Sequence, residues 1–238
     1  MKTETLNYQA DGLDMVGTLV TPDDVSTPRP GVLVFPHAFG PGAHSRGKAE
    51  HIAALGYVAL ECDLWGGAQP GEMSRLQEMM KPLRESADKV RARTLEPMRV
   101  LASRPEVDGE RIAAIGFCFG GTMAYELALS GAELRAAIGF HSGLSVTSPG
   151  AAAAIKGKVL TMVGADDPSI PAEARDAFAH MLGEAKVDYT MTVYGGVVHS
   201  FTDPDCGRLG RPEFARYDAN ADRRSWAQMS EMLAEVFG

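Results

Sequence analysis

The sequence predicts an α/β fold with a mostly parallel central sheet, helices on both of its faces and an N-terminal antiparallel hairpin. Three observations predict it. Short unbroken apolar runs recur along the chain, as strands buried on both faces require. Amphipathic or Ala/Leu-rich segments alternate with them, the pattern of a sheet covered by helices. Asp11-Gly12 separates two alternating stretches near the N-terminus, a strong hairpin signal.

Each element follows in order. Thr3 to Ala10 and Asp14 to Thr21 form the hairpin, and Pro22 to Pro30 reads as a loop. Gly31 to Phe35 is the first buried strand, followed by a helix over Ala43 to Leu55 that Gly56 ends. Tyr57 to Leu60 is the next strand. Met73 to Ser103 reads as helix, with breaks or kinks expected at Pro82 and Pro97, which lack an N–H for the helical ladder. Ile112 to Gly116 is a strand, Thr122 to Leu129 a helix ending near Gly131, and Ala136 to Phe140 and Val159 to Val163 are two more strands. Ser142 to Gly157 is a polar segment expected to cover the site. Pro171 to Gly183 begins with the proline that a first helical turn accepts. Val187 to Tyr194 is the last strand. Ala221 to Phe237 sets Trp226, Met229, Leu233 and Phe237 at helical spacing, an apolar stripe that docks on the sheet.

The 238 residues suit a single domain spanning 1–238. A net charge of −8 without any basic run argues against nucleic acid, whose binding needs clustered Lys and Arg. No apolar stretch approaches the ~20 residues of a membrane span. The N-terminus lacks the apolar core of a signal peptide, so a cytoplasmic location is expected. Cys62, Cys118 and Cys206 are too scattered for a disulfide framework, and no Cys-x-x-Cys or His-Glu-x-x-His spacing suggests a metal. No cofactor is expected. Cys62 and Cys206 read as small buried hydrophobes.

Cys118 stands apart. Gly116-Phe117-Cys118-Phe119-Gly120-Gly121 fits the nucleophile elbow, a sharp strand-to-helix turn, with cysteine as nucleophile. Glycines at either side let neighbouring backbone approach closely. The turn also sets the next N–H at a helix N-terminus, where partial positive charge favours an anion. In such folds an acid follows a later strand and a histidine follows the last. Here Asp166 and Asp167 both follow Val159 to Val163, and His199 follows Val187 to Tyr194. The spacing leaves the two aspartates as alternatives.

These residues resemble the dienelactone hydrolases (carboxymethylenebutenolidases) of the α/β-hydrolase superfamily. The resemblance rests on Val107 to Ile112 leading into Gly116–Gly121, on Gly164 to Pro171, on Gly195 to Phe201 and on Tyr217 to Trp226. It implies an ester or lactone hydrolase acting through a cysteine thioester, with Cys118, His199 and Asp167 as triad. It also implies an oxyanion hole at the backbone N–H groups of Phe119 and Ala38. Two departures imply a substrate other than dienelactone. His37 replaces a glutamate that in the family meets the resting cysteine; it is cationic and favours thiolate, or neutral and bonds the thiol. Asp203 stands where the family has a carboxylate-binding arginine. His37, Phe39, Trp65, His141 and Phe201 lie near strand ends and are expected to line the substrate pocket. The expected partner is a small ester or lactone, for a monomer or homodimer. The competing reading is a reactive-thiol binding or redox-sensing protein on the same fold.

Overall fold

The computed structural model describes residues 1–238. Strands β1 (Lys2–Ala10) and β2 (Leu13–Thr21) form the hairpin, with Asp11 and Gly12 both at positive φ, 51° and 72°, in its turn. Six further strands complete one sheet: β3 (Arg29–Phe35), β4 (Val58–Glu61), β5 (Val107–Phe117), β6 (Ala136–Phe140), β7 (Lys158–Gly164) and β8 (Tyr189–Tyr194). Their spatial order is β1-β2-β4-β3-β5-β6-β7-β8; β2 meets β4 antiparallel, and every pair from β4 to β8 is parallel. The fold is that of an α/β-hydrolase.

The period of two along each strand builds two cores. Val32 and Val34 of β3 face α1 (Ala43–Ala54) and α6 (Ala219–Phe237), together with Ile52, Met229, Leu233 and Phe237. Leu33 and Phe35 face the other way, toward α2 (Met73–Glu85), α3 (Ala87–Ala102), α4 (Phe119–Leu129) and α5 (Ala172–Glu184). Each such fully buried side chain stabilises the fold by about 1.5–3 kcal/mol relative to exposure. Trp226 is only half-buried; its ring lies against Phe140 at 6.3 Å and under the Lys48 ammonium at 5.1 Å.

The long helical stretch breaks at Ser86, not at Pro82 or Pro97, which both lie inside helices. Ser86 adopts an extended φ/ψ of −140°/107° and its hydroxyl accepts from the Lys89 N–H at 3.3 Å, starting α3 afresh. An N-cap of this kind is worth about 1 kcal/mol. Two further differences bear on the site. β5 begins at Val107 rather than Ile112, pairing with Arg29 across a register shift at Pro30/Gly31. α4 begins one turn earlier than its apolar pattern suggests, immediately after Cys118. No helix is long and apolar enough to cross a membrane.

Candidate active site

The C-terminal ends of β3, β5, β7 and β8 bring the reactive residues to one edge of the sheet, where open α/β sheets form their crevices. Cys118 occupies the turn between β5 and α4 at φ 54°, ψ −121°, a conformation that non-glycine residues rarely adopt. The glycines around it are sterically required. A Cβ on Gly116 would stand 2.2 Å from the Gly120 carbonyl, and one on Gly120 would stand 2.2 Å from the Pro36 oxygen.

The half-buried thiol faces three groups: the His199 imidazole and the backbone N–H groups of Phe119 and Ala38. Burial by itself raises the thiol pKa. The charge and hydrogen bond of His199, with the two N–H donors, outweigh it and hold the thiol below its ordinary value. His199 moves the opposite way. Burial lowers it, but Cys118 and Asp167 raise it to about 10. The two directions agree on a thiolate–imidazolium pair.

Asp167 and not Asp166 reaches the histidine. His199 Nδ1 lies 2.6 Å from Asp167 Oδ2, while Asp167 Oδ1 accepts from the Ser169 N–H at 2.9 Å and from its hydroxyl at 2.6 Å. Asp167 is buried; Asp166 is exposed and spends its N–H on the Val197 carbonyl. With Nδ1 donating to Asp167, Nε2 is directed at the thiol. The His199 ring is further held between Phe214, stacked at 5.3 Å, and His141, edge-on at 5.1 Å.

The five residues expected to line the pocket sit behind it. A cavity of about 460 Å³ opens over Cys118 and His199, and none of His37, Phe39, Trp65, His141 and Phe201 is on its wall. Strand-end proximity is the reason: those side chains turn under the loops and support what the cavity exposes. Trp65 donates its indole N–H to the Ala38 carbonyl at 3.0 Å and stacks on Phe119 at 5.8 Å. His141 is buried beneath His199 at positive φ, 42°, and Phe201 packs under it at 5.1 Å. The Thr202 hydroxyl joins His141 Nε2 at 2.8 Å to His44 Nε2 at 3.2 Å. The half-buried Phe39 packs against the core edge-on to His37.

His37 does not touch the thiol. Its Nδ1 accepts from the Phe39 N–H at 3.2 Å, so that nitrogen is unprotonated, and Nε2 faces Arg208 at 3.4 Å. Burial lowers its pKa against the pull of Asp203, and Arg208 lowers it further. Of the two charge states considered, the contacts select the neutral one. Asp203 itself is occupied by Arg208 at 3.2 Å.

Part of the cavity wall is the polar segment expected to cover the site, and the rest comes from side chains that the strand-end pattern does not single out. Met80 and Leu83 of α2, Met123 of α4, Val146 and Phe214 make it mainly apolar, and Gly143 to Thr147 of the polar segment close one side. One signal was present: Cys118, Thr122 and Glu126 recur every four residues, and this face of α4 forms the cavity floor. No three His, Cys, Asp or Glu side chains converge to hold a metal ion.

The profile of the dienelactone hydrolase family matches residues 15–237. The chain belongs to that family. A crystal structure of the dienelactone hydrolase-like promiscuous phosphotriesterase P91, from metagenomic libraries, superposes with a TM-score of 0.94 at 38% identity, covering 100% of this chain and 99% of that one. The structure named m3DLH gives a TM-score of 0.95 at 40% identity with the same coverage. A Synechocystis protein named "Putative carboxymethylenebutenolidase" is 26% identical over 98% of this chain and 96% of its own. As a member of this dienelactone hydrolase family, the chain is a carboxylic-ester hydrolase.

Proposed function

We propose that the chain cleaves small esters or lactones through a thioester on Cys118. The observation that carries this reading is the thiol faced at once by His199 and by two backbone N–H groups. The Cys118 thiolate attacks the carbonyl carbon. The charge that develops on the carbonyl oxygen falls to the N–H groups of Phe119 and Ala38, each such donor being worth about 3–4 kcal/mol in the transition state. Collapse expels the alcohol, which takes its proton from the His199 imidazolium, and leaves the acyl thioester. His199, held by Asp167, then removes a proton from water as it attacks, and the thiolate departs as the acid forms.

The apolar walls favour an aliphatic stretch of acyl chain beside the carbonyl, and the pairing of Arg208 with Asp203 removes one cation from the reach of an anionic acyl group. Cys118→Ala tests the reading directly. Hydrolysis of 4-nitrophenyl acetate should be lost with the fold intact, and the wild-type protein mixed with a slow ester should gain the acyl mass on the Cys118 peptide. Retained turnover in Cys118→Ala would reject the nucleophile; rapid alkylation of Cys118 without turnover of any ester or lactone would favour the reactive-thiol reading. Because P91 is a promiscuous phosphotriesterase, an aryl phosphotriester belongs in the same panel.

A further inference from the structure

The cavity contains a carboxylate that the reaction does not use. Glu126 lies two turns along α4 from Cys118, on the face that forms the cavity floor, and is 5% exposed. Burying a carboxylate is costly unless it is paired. Yet no cation stands among the groups that act on Glu126, and burial pushes its pKa up against the opposing bonds from Thr147. Oε1 accepts the Thr147 N–H; beyond Thr147 the carboxylate has no partner in the chain, and Oε2 is not sealed from solvent. Apart from His199, which is paired with Cys118 and Asp167, Arg84 is the one cation on the cavity wall, but it is exposed and its bond is to the Met80 sulfur at 3.8 Å. An exposed charge at an aqueous rim is screened.

We propose that Glu126 Oε2 is a substrate subsite that receives a hydrogen-bond donor, an ammonium group above all, at the far end of the acyl chain carried by Cys118. The proposal rests on Cys118 as the acyl carrier and adds the class of acyl group. The reach is set by helix geometry. Eight residues rise about 12 Å, and the Glu126 side chain leans back toward the N-terminus, so the gap to the thiol is shorter than that rise. An acyl chain with its ammonium five methylenes from the carbonyl, as in 6-aminohexanoyl, spans that gap. The carboxylate then gains the partner that the fold withholds, in a charge-assisted bond.

The decisive variant is Glu126→Gln, which keeps an oxygen for the Thr147 N–H while deleting the charge. Thiol labelling reads the subsite without turnover. Cys118 attacks an alkyl methanethiosulfonate at its divalent sulfur, forming a mixed disulfide as methanesulfinate leaves. In the wild type, 5-aminopentyl methanethiosulfonate should label Cys118 about tenfold faster than the pentyl reagent, the size of a charge-assisted bond. In Glu126→Gln the ratio should fall toward one, with the pentyl rate unchanged within about twofold. The short cation 2-(trimethylammonium)ethyl methanethiosulfonate, which cannot reach Glu126, should label both proteins alike. Equal wild-type rates for the aminopentyl and pentyl reagents would overturn the proposal. So would a parallel loss of both in the variant, which would make Glu126 only a tether for the Thr147 segment. Slowing of the short cation by the same factor would also overturn it, as a general field effect. Turnover of 4-nitrophenyl 6-aminohexanoate over the hexanoate should follow the labelling ratio. If labelling shows the ratio and neither ester turns over, the subsite stands and the hydrolytic reading of Cys118 falls.

Discussion

Trp65 holds Ala38: its indole N–H donates to the Ala38 carbonyl at 3.0 Å, and the N–H of Ala38 in turn faces the Cys118 thiol. The same ring stacks on Phe119, which carries the other N–H donor. One buried side chain from the loop after β4 therefore braces both halves of the proposed oxyanion hole.

Trp65→Phe keeps an aromatic face for Phe119 and removes the bond to Ala38. It should lower kcat for a small aryl ester by about tenfold, less than the 10²–10³ for deleting a donor outright, and leave KM within about threefold. Steady-state kinetics check this. A change confined to KM would place Trp65 in substrate binding instead.

Cys118 should alkylate faster at neutral pH than an ordinary thiol. Its pKa lies below the ordinary 9.0 and that of His199 is raised to about 10, so the ion pair persists between the two values. As pH falls through the lowered thiol pKa, the iodoacetamide rate should drop. In His199→Ala the imidazole is gone and only the two N–H donors oppose burial, so the apparent thiol pKa should move up and the rate at pH 7 fall by about tenfold or more. An unchanged pH profile in His199→Ala would contradict the pairing.

Asp167→Asn should reduce kcat by about 10³–10⁴, because the amide donates where His199 Nδ1 needs an acceptor and turns the ring to the wrong tautomer. Asp166→Asn, one residue away but exposed, should leave activity within about twofold. Comparable losses in both would undo the assignment made from the 2.6 Å contact.

His37→Gln should leave the pH dependence of Cys118 alkylation where it is in the wild type. The ring spends its nitrogens on the Phe39 N–H and on the Arg208 side, and no thiol contact exists to lose. A shifted profile would show that His37 acts on the cysteine after all.

Gly120→Ala should be severely destabilising, by about 3 kcal/mol or more, since the added Cβ would stand 2.2 Å from the Pro36 oxygen and backbone must move. Thermal unfolding measures it; an unperturbed Tm would mean that the elbow tolerates a side chain.

Much of this protein was legible along the chain. The elbow is legible locally: glycines flanking a cysteine between an apolar strand and an Ala/Leu helix mark the turn, although Gly120 also meets the distant Pro36 oxygen. The order of Cys118, Asp167 and His199 follows from the same strand-end logic, and buried strands such as Gly31 to Phe35 announce themselves by unbroken hydrophobicity. Ser86 was missed because two prolines nearby are louder breakers, yet each fits inside a helix while a serine hydroxyl caps the next.

The rest was decided by residues far apart in sequence. Asp166 and Asp167 differ by one position, and only the turn through Ser169 puts one inside and the other in solvent. Trp65, His141 and Phe201 end near the site, but whether a side chain faces a cavity or props its wall depends on loops that cross from other strands. His37 is separated from the thiol by a bond to its own loop, and Glu126 is left without a cation because the Arg84 that α2 brings to the wall stays in solvent. Local backbone chemistry wrote the nucleophile into the sequence; the convergence of distant segments determined what surrounds it.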